Sequence, residues 1–254
     1  MKYISSLQSE WLKTKGSAAS WLCIIGGFFI PTIFLIAFLV KGKTINEYDA
    51  PGINAWKFYF GMMMNNMQMF LLPMGVMLAS SMITQLEYKN NTWKQLHTTP
   101  QSFTTIFFAK FSVVLLMTVK FFLFFNIGLI VSAIVPSLVY AGGLPTHSFP
   151  VSFFLKENSK IFIACLPILG IQYLISLQFK NFLVSIGVGL VALIGTLIGL
   201  GVKWEYLYFS PYSYVLLNGS GTEVSFNIFY RAFSCFGILL VAGYFLYLNM
   251  KEKG

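Results

Sequence analysis

Charge is what this sequence has least of. Only 10% of its 254 residues are charged and eight are acidic, whereas a soluble domain carries about 25% charged residues. So few charges cannot cover a water-facing surface, which excludes an ordinary soluble domain. All eight acids fall outside the apolar segments, so an intramembrane hydrolase would lack its acid–base machinery. The two histidines, His97 and His147, are far apart, and no HExxH, paired carboxylates or Gly-x-Ser elbow accompanies them. Cysteine is sparse too. Cys23, Cys165 and Cys235 each stand alone in an apolar segment without CxxC spacing, so they read as small core residues and not as disulfides or metal ligands. The net charge is +9, but the basic residues are scattered and no nucleic-acid motif is present. No cofactor and no nucleic acid are expected.

What is abundant is apolar sequence: 57% of the residues are hydrophobic. Runs of 18 or more apolar residues recur along the chain, the signature of membrane-spanning helices. Six spans are expected, at about 19–40, 58–84, 104–135, 161–178, 182–202 and 226–249. Each reaches across a ~30 Å hydrocarbon core, the fourth only just. Lipid cannot satisfy free backbone groups, and no alternating ten-residue pattern suggests a barrel. The expected fold is all-α: one polytopic membrane domain over residues 1–254.

Six spans put both termini on one side. Nine basic residues fall there and seven on the other side, which favours cytoplasmic termini. No cleaved leader is expected, because residues 1–18 are polar and amphipathic and the first apolar run is long enough to stay in the membrane. Tyr3, Ile4, Leu7 and Trp11 share about a third of a helical wheel, with Glu10 and Lys13 outside it. That pattern describes a helix lying flat at the interface.

Several motifs point nowhere. Residues 37–44, AFLVKGKT, satisfy a relaxed phosphate-loop pattern, yet the middle positions are the tail of a span and not a glycine-rich turn. The chain is therefore not expected to be an enzyme, and any ATP would be bound by another subunit. Residues 61–77, GMMMNNMQMFLLPMGVM, belong to a stretch that concentrates methionine. Thioethers suit Cu(I), but they also pack adaptably, and packing is the favoured reading. Asn65, Asn66 and Gln68 are costly in lipid, and Asn65 and Gln68 are expected on one helical face toward a polar path. Lys120 poses a similar problem, since a centred lysine costs at least roughly 2.5 kcal/mol. Either it lies near the bilayer centre, or residues 103–119 follow the interface and Lys120 snorkels from the start of a span over 121–139.

The longest polar insert is LEYKNNTWKQLHTTPQS, residues 86–102. Asn91 is an expected N-cap, and Thr92 to His97 make about two turns before Pro100 ends them. Trp93 and Leu96 share a face, and so short a helix needs a surface to dock on, either lipid or a partner protein.

The chain resembles the permease subunits of the ABC-2 superfamily of ATP-binding-cassette exporters, and within it the bacteriocin and lantibiotic immunity permeases. The residues that carry the resemblance are LQSEWLKTKGS at 7–17, the 86–102 insert followed by FAKF at 108–111, SLQFKNFLVSIGVGL at 176–190, and six spans with a larger outer loop before the sixth. It implies an ABC ATPase partner that docks on a coupling helix after the second span, with Glu87, Trp93, Lys94 and Leu96 in contact. A second contact would lie at Leu177–Asn181, including Phe179 and Lys180. It also implies a second permease copy or paralogue around a central path, to which Asn65, Gln68 and Lys120 are assigned. The expected function is export of amphipathic peptide or lipophilic antimicrobial across a bacterial plasma membrane. An ion-gradient-driven carrier, or a scaffold or sensor without transport, is the alternative. Residues 203–225, rich in Trp and Tyr around Pro211, fit either a re-entrant hairpin or an aromatic belt.

Overall fold

A computed structural model describes residues 2–49, 53–89, 102–140, 147–179, 181–219 and 227–251. The described residues are helical almost throughout. Helix α1 (Lys2–Thr14) precedes α2 (Ala18–Lys41). Then come α3 (Ala55–Asn66), a π-helical turn (Met67–Leu71) and α4 (Leu72–Lys89). After these follow α5 (Phe103–Val139), α6 (Val151–Gln178), α7 (Phe182–Gly201), the short α8 (Ser213–Gly219) and α9 (Asn227–Lys251). Six helical stretches are long and apolar enough to cross a membrane: 18–41, 55–86, 103–139, 151–178, 182–201 and 228–247. The protein is an all-α polytopic membrane protein.

The helix ends are written into the sequence. Ser17, Asn54, Ser102 and Asn181 each accept a backbone N–H at the start of a helix, satisfying donors that the first turn leaves open. Gly42, with φ of 62°, ends α2 in a left-handed cap that favours glycine.

Three spans differ from their expected bounds. The second is two helices joined by a π turn, and its α-helical end carries residues 86–89, the start of the polar insert. The fourth begins about ten residues before the expected 161, at Val151. Polar residues hide this early start, but buried Phe154 packs on Phe60, and Asn158 exchanges amide hydrogen bonds with Asn126 of α5 at 2.9 and 3.0 Å. The third is a single 37-residue helix, about 55 Å long, which runs unbroken through Lys120.

Helix α2 packs closely against α5. A Cβ on Gly27 would stand 2.9 Å from the Phe121 carbonyl oxygen, so only glycine allows the backbones to approach there. Helix α1 lies across α5, but with its polar side inward. Ser6, Glu10 and Thr14 are buried, while Ile4 and Leu12 are more than 60% exposed. Ile4 and Leu12 thus face away from the protein, as on an interfacial helix, while half-buried Leu7 packs against the core.

At the far end, the Trp56 indole donates to the His147 carbonyl, His147 sits 3.1 Å from Asp49, and the Tyr140 hydroxyl donates to the Leu39 carbonyl. Residues 205–209 form a 3₁₀ turn whose Tyr206 and Phe209 are exposed. Beyond Pro211 the chain turns inward, and Tyr212 to Leu217 are buried.

Candidate functional site

Helix α1, the end of α4, the start of α5, the α6–α7 turn and the end of α9 meet at one end of the bundle. The Tyr3 hydroxyl is 2.8 Å from Ser112 Oγ, and Thr104 is bonded to the Tyr244 hydroxyl at 2.7 Å. Gln85 Nε2 donates to the Phe179 carbonyl at 3.1 Å, joining the last turns of α4 to the α6–α7 turn. Glu10 Oε2 receives Lys110 Nζ at 3.1 Å and Oε1 receives Lys13 Nζ at 2.5 Å. Burial alone would raise the Glu10 carboxyl, but the ammonium groups of Lys110 and Lys13 outweigh it and hold it below the usual glutamate range.

Of the residues assigned to coupling, Glu87 lies in the last turn of α4. Phe179 closes α6 with an extended backbone and is 39% exposed. Trp93, Lys94, Leu96 and Lys180 lie outside the described residues. The two described positions are thus on elements that Gln85 ties together.

The residues assigned to the path separate. Gln68 is buried at the π turn, where its Nε2 donates to the Met64 carbonyl and its Oε1 accepts from Asn218 Nδ2 at 2.7 Å. Asn65 and Asn66 are exposed, and the Asn66 amide turns back to the Met62 carbonyl. Ideal helical spacing would keep Asn65 and Gln68 together, but one is turned out of the chain and the other in, across the start of the π turn. Such turns recur at functional sites. Lys120 is apart from both, with its Nζ 2.5 Å from Ser20 Oγ of α2.

A buried polar cluster escaped the sequence reading. Gln172 of α6 donates from Nε2 to the Ser185 carbonyl at 2.9 Å, and its Oε1 accepts from the Tyr212 hydroxyl at 3.0 Å. Ser81 Oγ donates to Ser185 Oγ at 3.0 Å, and Ser176 lies 2.9 Å from the same oxygen. All five side chains are closed to solvent, and every polar group finds a partner within the cluster or on nearby backbone. Gly189 makes room for it, since a Cβ there would stand 2.7 Å from Gln172 Oε1. The signal was available: Gln172 is an amide in the middle of an apolar run, and serine recurs opposite it on two other spans. The cluster links α4, α6 and α7 to the chain that turns back into the bundle. Among the described residues there is no group of three His, Cys, Asp or Glu able to hold a metal.

A family model described as ABC-2 family transporter protein matches residues 6–197, from the interfacial helix through most of α7. No curated protein and no solved structure matches the chain. The matched stretch covers well over half of the sequence and contains four of the six spans and most of a fifth, along with nearly all of α1, the end of α4 and the start of α5. The chain therefore belongs to the ABC-2 family of transporters, as a multi-pass permease that works with an ABC ATPase.

Proposed function

We propose that this permease forms the membrane part of an ATP-driven exporter that removes amphipathic peptide or lipophilic antimicrobial from a bacterial plasma membrane. Both termini lie in the cytoplasm and two permeases, identical or paralogous, enclose the path. The carrying observation is the Gln85–Phe179 bond, which joins the two segments assigned to ATPase contact at the end where α1 is anchored. A push on either segment reaches the other through that bond. Glu87, Trp93, Lys94, Leu96, Phe179 and Lys180 make the docking surface, with Trp93 as its anchor. Large aromatics seated in a pocket commonly carry such interfaces.

Asn65 supports a path between two permeases. An exposed amide on a spanning helix is costly against lipid, and one turn earlier Gly61 faces open space. A second permease covering this face, or a polar path beside it, relieves the cost. Gln68 backs the same wall from inside the chain. Lys120 lies on the α2–α5 seam and is left out of this path.

The test is coexpression with an ABC ATPase from the same cell, comparing the native permease with Trp93→Ala/Leu96→Ala. The double variant should insert normally but fail to co-purify with the ATPase and to support ATP-dependent peptide efflux. Normal assembly and efflux would return the insert to the role of a lipid anchor. Efflux that follows an ion gradient and ignores ATP would establish the carrier instead.

A further inference from the structure

Among the described residues, Lys120 is a cation without an anion beside it. Its Nζ donates to Ser20 Oγ at 2.5 Å and stands 6.0 Å from the centroid of the Phe124 ring. Among the described residues no carboxylate pairs with it, and Glu10 is already shared by Lys110 and Lys13. An ammonium carries three donors, so one hydroxyl and a ring face leave it incompletely solvated. The side chain also has a direction. Gly27 packs at the level of Phe121 to Phe125, and Ser20 lies two turns earlier in α2. Lys120 therefore leans back toward the turn between α1 and α2, where exposed Lys15 stands.

The surroundings are those of a lipid boundary. Leu116, Val119 and Leu123 flank Lys120 on α5 and are 40%, 47% and 53% exposed; on α2, Trp21 and Ile25 are 58% and 62% exposed. In a spanning protein these stripes face acyl chains. Trp21, beside Ser20 in the first turns of α2, is where interfacial tryptophans sit. Half-buried Lys120 lies between α5 and α2, bonded to Ser20.

We infer that Lys120 and Ser20, with Lys15 at the rim, bind the phosphate of an anionic phospholipid in the leaflet nearest the α1–α2 turn. The acyl chains lie along the exposed stripe of Leu116, Val119 and Leu123. Basic pockets between spanning helices favour anionic headgroups in this way. The site is independent of ATPase docking and of the path proposed for Asn65, so either reading can fail without the other.

The experiment uses the full-length permease in nanodiscs of phosphatidylcholine alone or mixed with phosphatidylglycerol, with retained lipid counted by native mass spectrometry. One ammonium beside a phosphate should give phosphatidylglycerol about a fivefold preference over phosphatidylcholine. Lys120→Met keeps the length of the side chain, suits an apolar helix and should reduce the preference to near parity. Lys120→Arg should keep it, as should Lys156→Gln in the first turns of α6. Should Lys120→Met insert poorly, Lys15→Gln with Ser20→Ala provides the second arm and should weaken retention. An unchanged preference in Lys120→Met or in that second arm, or none in the native chain, overturns the proposal. Equal displacement of phosphatidylglycerol by inorganic phosphate would also overturn it, by marking a free-anion site instead of a lipid site.

Discussion

Glu10 of α1 reaches Lys110 of α5 at 3.1 Å, and the two side chains are 10% and 3% exposed. An ion pair so closed to water holds the interfacial helix in one orientation, with Tyr3 bonded to Ser112 two residues further along α5. Removing one partner of a buried pair typically costs about 3–5 kcal/mol, because the other charge is left unmatched. Glu10→Gln should therefore release α1, seen as faster trypsin cleavage after Lys13 or Lys15 in the folded protein. Glu10→Gln with Lys110→Met should recover most of the protection. Equal cleavage rates in the native chain and Glu10→Gln would show that the pair does not hold α1.

The same pair sets a pH dependence. The folded Glu10 carboxyl titrates below its ordinary value of 4.5, so the folded state favours the charged form. Its contribution is full above the ordinary value and is lost as pH falls through the lower folded value. Trp11 fluorescence should thus stay constant from neutral pH to about 4.5 and change only below it. The Glu10→Gln variant should lack that acid transition. A transition centred near neutrality would contradict the assignment.

Tyr212→Phe removes the donor to Gln172 Oε1 and leaves a buried acceptor unpaired. Such a loss costs about 1–3 kcal/mol, less if the amide finds another partner in the bundle. The melting temperature should fall by a few degrees, and a cysteine introduced at Leu217 should label faster. Gly189→Ala should be more damaging, because its methyl would overlap Met77 and Gln172. A Gly189→Ala protein as stable as the native one would mean that the contact opens easily.

Cysteines at positions 65 and 68 should report opposite surroundings. Position 68, buried beside Asn218, should resist water-soluble maleimide until Asn218 is replaced by alanine. Position 65 should label in isolated permease and become protected or cross-linked once two permeases pair. Labelling of Asn65→Cys by lipid-soluble reagents alone, in the assembled transporter, would remove it from any aqueous path.

The number of spans, their helical character and most of their boundaries were set by composition, because a long apolar run has one stable form in lipid and its caps are local. The same reasoning expected an amphipathic α1 with Ile4 on its apolar arc, but Leu7 of that arc packs inward and exposed Leu12 was not part of it. It could not choose the partner of Glu10, since Lys110 is a hundred residues away and pairing at that separation depends on how α1 crosses α5. Nor could spacing alone separate Asn65 from Gln68. The π turn between Met67 and Leu71 breaks the 3.6-residue period that any sequence-based wheel assumes. The Gln172 cluster shows the same division. Gln172 and the three serines were visible as exceptions in apolar spans, but Tyr212 lies outside the spans, and their meeting required four segments to pack at one depth. Hydrogen bonds that satisfy a buried polar group can come from anywhere in the fold, so only the folded chain decides which groups they join.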